Sequence, residues 1–134
     1  MASTKRPIVR AKDIMSKTLV TINGMATAKE AADTMRAKQV SSLIVEKRHE
    51  DDAWGLIAVQ DLIEGVIIPG RSFEEVHVYE IMTKPVIAVP AEMDIRYAAR
   101  LLHRAGIRRA PVEEKGELIG MIAMRSLILD HDLF

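Results

Sequence analysis

The side chains in this chain that could do chemistry unaided are few and poorly spaced for it. Its four histidines, His49, His77, His103 and His131, are scattered through 134 residues, and none has a neighbour at metal-ligand spacing. There are no cysteines, which removes disulfides, thiol nucleophiles and cysteine-ligated zinc or iron–sulfur sites. The acidic run at 49–52, His-Glu-Asp-Asp, reads as a solvated turn rather than a cation site. Pro69-Gly70-Arg71-Ser72 lacks the glycine-rich cradle and the lysine of a phosphate loop. No nucleophile, base and acid can be grouped from the sequence. The expectation is a protein that is not an enzyme, with no metal and no catalytic cofactor.

The bulk numbers agree with a small folded body. Apolar residues make up 49% of the chain, enough for a core without staples, and 19 basic residues balance 19 acidic ones. A neutral balance supplies no field that would favour nucleic acid or an acidic membrane. With 4% aromatic residues there is no obvious stacking platform for single strands. The first residues are weakly basic with no apolar run behind them, and no stretch approaches the ~20 apolar residues that span a bilayer. We therefore expect a soluble, cytoplasmic, globular protein with neither nucleic acid nor membrane as a partner.

What must position any site is a repeat. "DIMSKTLVTIN" (13–23) returns as "EIMTKPVIAVP" (80–90). Laying Ile14 on Ile81 also lays Met15 on Met82, Ala31 and Ala32 on Ala98 and Ala99, Met35 on Leu102 and Val45 on Val112. After a short gap, "GLIAVQDLI" (55–63) lies on "GMIAMRSLI" (120–128). Each copy reads in one order. A β-branched run comes first ("TLVTI", "PVIAV"), then a helix with Thr27 or Asp94 as its cap. Ala28, Ala31, Ala32 and Met35, like Ile95, Ala98, Ala99 and Leu102, recur at helical spacing. Two further strands follow ("SSLIVE" and "WGLIAV"; "APVEE" and "LIGMIAM"), then a short apolar helix that Pro69-Gly70 stops in the first copy. The pattern is β-α-β-β-α twice, an α/β (α+β) fold of two units at 8–68 and 76–130. A unit of this size buries too little alone, so the two are expected to pack with pseudo-twofold symmetry into one module.

The two opening phrases, with "AGIRRAPVEEKGELIGMIAMRSLI" (105–128), closely resemble a tandem CBS-domain module, the type named after cystathionine β-synthase. The resemblance covers roughly residues 8 to 130; its specificity lies in the order and duplication of the motifs. It implies a regulatory, non-catalytic module that binds adenine nucleotides or related adenosyl ligands in clefts between its units and commonly pairs into dimers. AMP, ADP or ATP is the expected ligand, with S-adenosylmethionine and NAD as further candidates.

Family contacts concentrate in a Gly-apolar-apolar-Thr/Ser-x-x-Asp segment, whose acid takes the ribose hydroxyls, and just before the second strand, where basic side chains reach phosphate. Here "GLIAVQD" keeps the acid as Asp61, with Gln60 beside it, but has Ala58 at the hydroxyl position. "GMIAMRS" has Ala123 and Ser126 instead. Arg108 and Arg109 precede Ala110-Pro111-Val112, whereas Ser41 and Ser42 precede Leu43-Ile44-Val45. If family geometry holds, Asp61 and the arginine pair face one cleft, with Arg125 as a further cation, and one nucleotide binds per chain. A carboxylate can accept both vicinal ribose hydroxyls, and arginine's planar fork suits phosphate oxygens.

Plainer readings stand beside these. Asp61 can serve as a helix cap, and the arginines can be a solvated strand edge. Arg100 and Arg104 share a wetted helical face, Met15 and Met82 are core residues or purine covers, and Trp54 opens a strand at the sheet edge. Loss of both hydroxyl positions favours the alternative function, a ligand-free dimeric scaffold regulating a partner protein. No catalytic segment accompanies the repeats, so any regulated activity is expected in an unidentified partner. The alanine stripes suggest helices that approach closely across a homodimer.

Overall fold

The computed structural model describes residues 7–133. The chain forms two compact units: a central unit, Leu19–Val86, and a terminal unit made of the segment up to Thr18 together with the chain from Ile87 onward. Each holds a three-stranded mixed sheet and the helices that cover it, so the β-α-β-β-α order read from the sequence is present twice.

In the central unit β1 (Thr21–Ile22) runs parallel to β2 (Ser42–Val45), and β2 runs antiparallel to β3 (Gly55–Ala58), with Ser42 opposite Ala58 and Val45 opposite Gly55. The parallel step is bridged by the helix Ala28–Lys38. Thr27 caps it by accepting the Glu30 N–H at 3.1 Å, and Ala28, Ala31 and Met35 turn inward. Leu43, Ile44 and Val45 are all buried, which is why β2 shows no alternation. After β3 the helix Val59–Leu62 passes straight into a π-helical turn, Ile63–Ile67.

The terminal unit repeats the plan with the strands Val89–Pro90, Arg109–Glu114 and Glu117–Ala123. Val89 pairs parallel with Val112, Arg109 antiparallel with Ala123, and a bulge falls between Val112 and Glu113. Its long helix, Ile95–Ala105, starts where Asp94 accepts the Arg96 N–H at 2.9 Å and ends at Gly106, at φ 68°. Such a left-handed C-cap suits glycine. The last helix is Met124–Leu129.

The duplicated phrase takes an unexpected place. Its first copy includes the one-turn helix Ala11–Ile14, and Ser16 and Met121 exchange both backbone hydrogen bonds at 2.8 Å, so this copy docks on the second repeat's sheet. Its second copy includes the turn Val78–Ile81, and Thr83 and Leu56 exchange theirs at 2.9 Å, so that copy docks on the first repeat's sheet. This explains why the strands expected over 18–22 and 85–89 shrink to two residues each. The start of each extended run is already committed to the other repeat.

Most of the alanine stripe turns inward, while Ala32 and Ala99 are partly buried. Ala28, Ala31 and Ala98 are fully buried in their own units, because they let each helix lie close on its sheet. They offer nothing to a second chain. Large apolar residues left exposed include Val59, Ile63, Ile67 and Ile68 of one repeat and Ile128 and Leu129 of the other, all after the third strand, besides Met25, Tyr79 and Tyr97 earlier in the repeats. Among the described residues no helix is long and apolar enough to cross a membrane.

Candidate ligand-binding sites

In the central unit the predicted residues gather where β3 gives way to its helix. Val59 N–H donates to the Ser41 carbonyl at 3.1 Å, which ends the strand at Ala58 and starts the helix. Asp61 is the third residue of that helix and is partly buried. Its carboxylate reaches back to accept the Ala58 N–H at 2.7 Å, the backbone half of a capping box. Burial pushes its pKa up against the pull of the Ala58 N–H, and the nearby charge of Glu64 pushes the same way. A carboxylate has lone pairs beyond the one used here, so the capping bond leaves room for hydroxyl donors. Gln60 is exposed and donates to Glu64 at 2.8 Å.

At the equivalent place in the terminal unit the residues are basic. Met124 N–H donates to the Arg108 carbonyl at 2.8 Å, starting the last helix as Ser41 starts its counterpart. Arg109 opens its strand opposite Ala123 and is partly buried, while Arg108 and Arg125 are exposed. Burial, with repulsion from Arg108 and Arg125, holds the Arg109 guanidinium below its ordinary pKa. The three arginines therefore share one field at the amino end of a helix, where anions are favoured. Ser126 stands where the other repeat has Asp61. The predicted acid and the predicted arginines thus belong to different units, each at the same junction of its own.

The remaining residues singled out in the sequence also find their places. Arg100 and Arg104 are exposed, and Arg100 lies 5.5 Å from the Tyr97 ring centroid. Met15 and Met82 pack against the cores of the terminal and central units, respectively. Trp54 precedes its strand, which opens at Gly55, and Lys47 lies over its ring at 5.4 Å.

One cavity was not foreseen. It opens in the central unit at the opposite end of the sheet from Asp61, past the last residues of β1 and β2, with a volume of about 520 Å³. Val45, Met82, Tyr79 and Met25 form its walls, and Lys47, Arg48 and Lys84 stand at its rim. These residues come from several separate segments, so no local motif marks them. The available signal was a mismatch between the copies: Tyr79 falls on Lys12, and Met25 on Glu92.

The profile of the CBS domain matches the chain twice, at residues 11–67 and 78–129. An uncharacterized protein of Methanopyrus kandleri is 31% identical over 90% of this chain and 61% of its own length. The mitochondrial CBS domain-containing protein CBSX3 of Arabidopsis thaliana is 30% identical over 78% of this chain and 54% of its own. The chain thus spans a little over half the length of these two relatives. In three dimensions a hexameric CBS-CP12 protein from bloom-forming cyanobacteria superposes with a TM-score of 0.90 and 38% identity, over 93% of this chain and 69% of that one.

Proposed function

From the premise that this chain belongs to the CBS-domain family and carries two such domains, we propose that it is a regulatory module binding one adenine nucleotide per chain. The observation that carries the reading is the gathering of Arg108, Arg109 and Arg125 around one helix start. A polyanion such as a di- or triphosphate matches three cations gathered at one helix start. Asp61, at the equivalent junction of its own unit, is the candidate acceptor for ribose hydroxyls. Arginine rather than lysine suits this task, because its donors form a planar fork.

A panel of AMP, ADP, ATP, NAD and S-adenosylmethionine in thermal unfolding and calorimetry tests this. A nucleotide at 100 times its Kd adds about 2.7 kcal/mol, and one site per chain is expected. A double-mutant cycle between Asp61→Ala and Arg109→Ala then asks whether both act on one ligand. A flat response to the whole panel would leave a second reading, an interaction scaffold without ligand. Two observations favour that alternative: Ala58 and Ala123 replace both hydroxyl positions, and isoleucines lie exposed on the helices that follow. The hexameric state of the cyanobacterial CBS-CP12 protein shows that a close structural relative assembles.

A further inference from the structure

We propose that the cavity of the central unit is a second binding site, for a small organic monoanion with a flat apolar body, such as an aromatic carboxylate. Its volume of about 520 Å³ lies in the range of small-molecule sites, which combine apolar walls with a few placed polar groups. Both parts are present. Val45 is buried beneath the floor, Met82 packs beside it, and Tyr79 and Met25 keep 50% and 68% of their surface exposed. His77 stacks on the Tyr79 ring at 5.5 Å between centroids and holds it in place. Flexible thioethers adapt to a planar guest.

The rim sets the charge. Lys47, Arg48 and Lys84 face two carboxylates. Asp52 takes Lys84 at 2.7 Å and Arg48 at 3.2 Å, and Glu46 accepts the Thr21 hydroxyl at 3.3 Å. Three cations against two anions leave one positive charge. A single carboxylate matches it better than a phosphate ester does.

The second repeat places an ion pair where this repeat has Tyr79 and Met25. Tyr79 N–H donates to the Gly24 carbonyl at 3.0 Å, and the N–H of its counterpart Lys12 donates to the Ala91 carbonyl at 3.0 Å. There, however, the Lys12 ammonium pairs with Glu92, and Arg10 joins the same carboxylate at 3.5 Å. One repeat therefore carries an ion pair at this position, and the other has Tyr79 and Met25 in place of both partners. Neither replacement is needed for folding, since the fold is built without them in the other copy.

That comparison also supplies the test. The double variant Met25→Glu, Tyr79→Lys transplants the ion pair into the cavity at a place where the fold is known to accept one. Binding of 2-naphthoate and of the neutral 2-naphthamide is followed by calorimetry and by amide shifts in NMR spectra of the full chain. We expect saturable one-to-one binding of 2-naphthoate with shifts at Met25, Lys47 and Tyr79. The amide should bind at least tenfold more weakly, and the double variant should lose tenfold or more with an unchanged Tm. No saturable binding, or equal affinity in the double variant, would overturn the site; equal affinity of the amide would overturn the anion requirement. If the double variant unfolds, Lys84→Gln serves instead, with the same tenfold loss expected for the acid and none for the amide. The site lies at the opposite end of the central sheet from Asp61 and uses none of the proposed nucleotide residues, so failure of nucleotide binding would leave it untouched.

Discussion

Asp61 and Asp52 show how two aspartates of one unit come to opposite proton affinities. Asp61 is partly buried with one backbone donor and one like charge nearby, so its pKa rises. If its ionised form accepts the ribose hydroxyls, as proposed, nucleotide binding should weaken as pH falls through that raised pKa. Asp61→Ala should cost tenfold or more in affinity, from charged hydrogen bonds worth about 1.5–3 kcal/mol, while Ser126→Ala should change little; calorimetry at neutral pH reads both. Because the folded-state pKa lies above the unfolded one, the protein's stability relative to Asp61→Asn should fall as pH rises through it. Asp52 behaves in reverse. Lys84, then the backbone and side chain of Arg48, hold it far below the ordinary aspartate value of 3.8. Its stabilisation is fully present above that value and is lost as pH falls below it toward the depressed pKa. Thermal unfolding of Asp52→Asn should thus show a lower Tm than wild type at pH 7 and a shrinking gap at acid pH. The sequence exposed Asp61, Arg108, Arg109 and Arg125 because they sit in recognisable segments. It left Asp52 as one member of a charged turn, since its partner Lys84 is distant in the chain and only the fold brings them together.

Elements were legible where their pattern is local. The long helices appeared with their caps, since Thr27 and Asp94 each hold a backbone N–H as their positions implied. Strand ends were less so: Val59 and Met124 read as strand, but the carbonyl of the residue just before a neighbouring strand, Ser41 or Arg108, turns each into the first residue of a helix. Least legible was the docking of each opening phrase on the other repeat's sheet, a contact that leaves no periodic trace. Its mark is a glycine. A Cβ at Gly120 would lie 2.5 Å from Met15 Sδ and 2.6 Å from the Ser16 carbonyl oxygen, while one at Gly65 would meet only Ile81 side-chain atoms, the nearest at 2.5 Å. Backbone already hydrogen-bonded to Met121 cannot yield as a side chain can. Overpacking costs about 1–3 kcal/mol, and Gly120→Ala should fall at the upper end, Gly65→Ala at the lower. Denaturant titration of both variants decides it, and equal losses would mean that the docked segment shifts freely.

On the scale of the whole molecule, the duplication was the most legible feature, and both proposals rest on differences between its copies: acid against base at the helix junctions, and an ion pair against Tyr79 and Met25. The apolar surface divides differently. Both repeats leave isoleucines uncovered after their third strand, with Ile67 at 58%, Ile68 at 72% and Ile128 at 69% exposure. Clusters of large exposed apolar side chains mark contact surfaces more often than scattered single ones do, and twofold self-association is the commonest closed arrangement. Because Ala28, Ala31 and Ala98 are buried in their own units, the homodimer we propose forms through these later helices. Ile67→Arg and Ile128→Arg place charges where solvent already reaches, so neither should disturb its own core. Each should shift sedimentation at micromolar concentration toward the 14.9 kDa chain while leaving Tm of the monomer fold within about 0.5 kcal/mol of stability. Ala31→Arg, in contrast, would put a charge into a fully buried position and should unfold the unit rather than dissociate it. A wild-type chain that sediments as a monomer at every concentration, with and without nucleotide, would rule the dimer out.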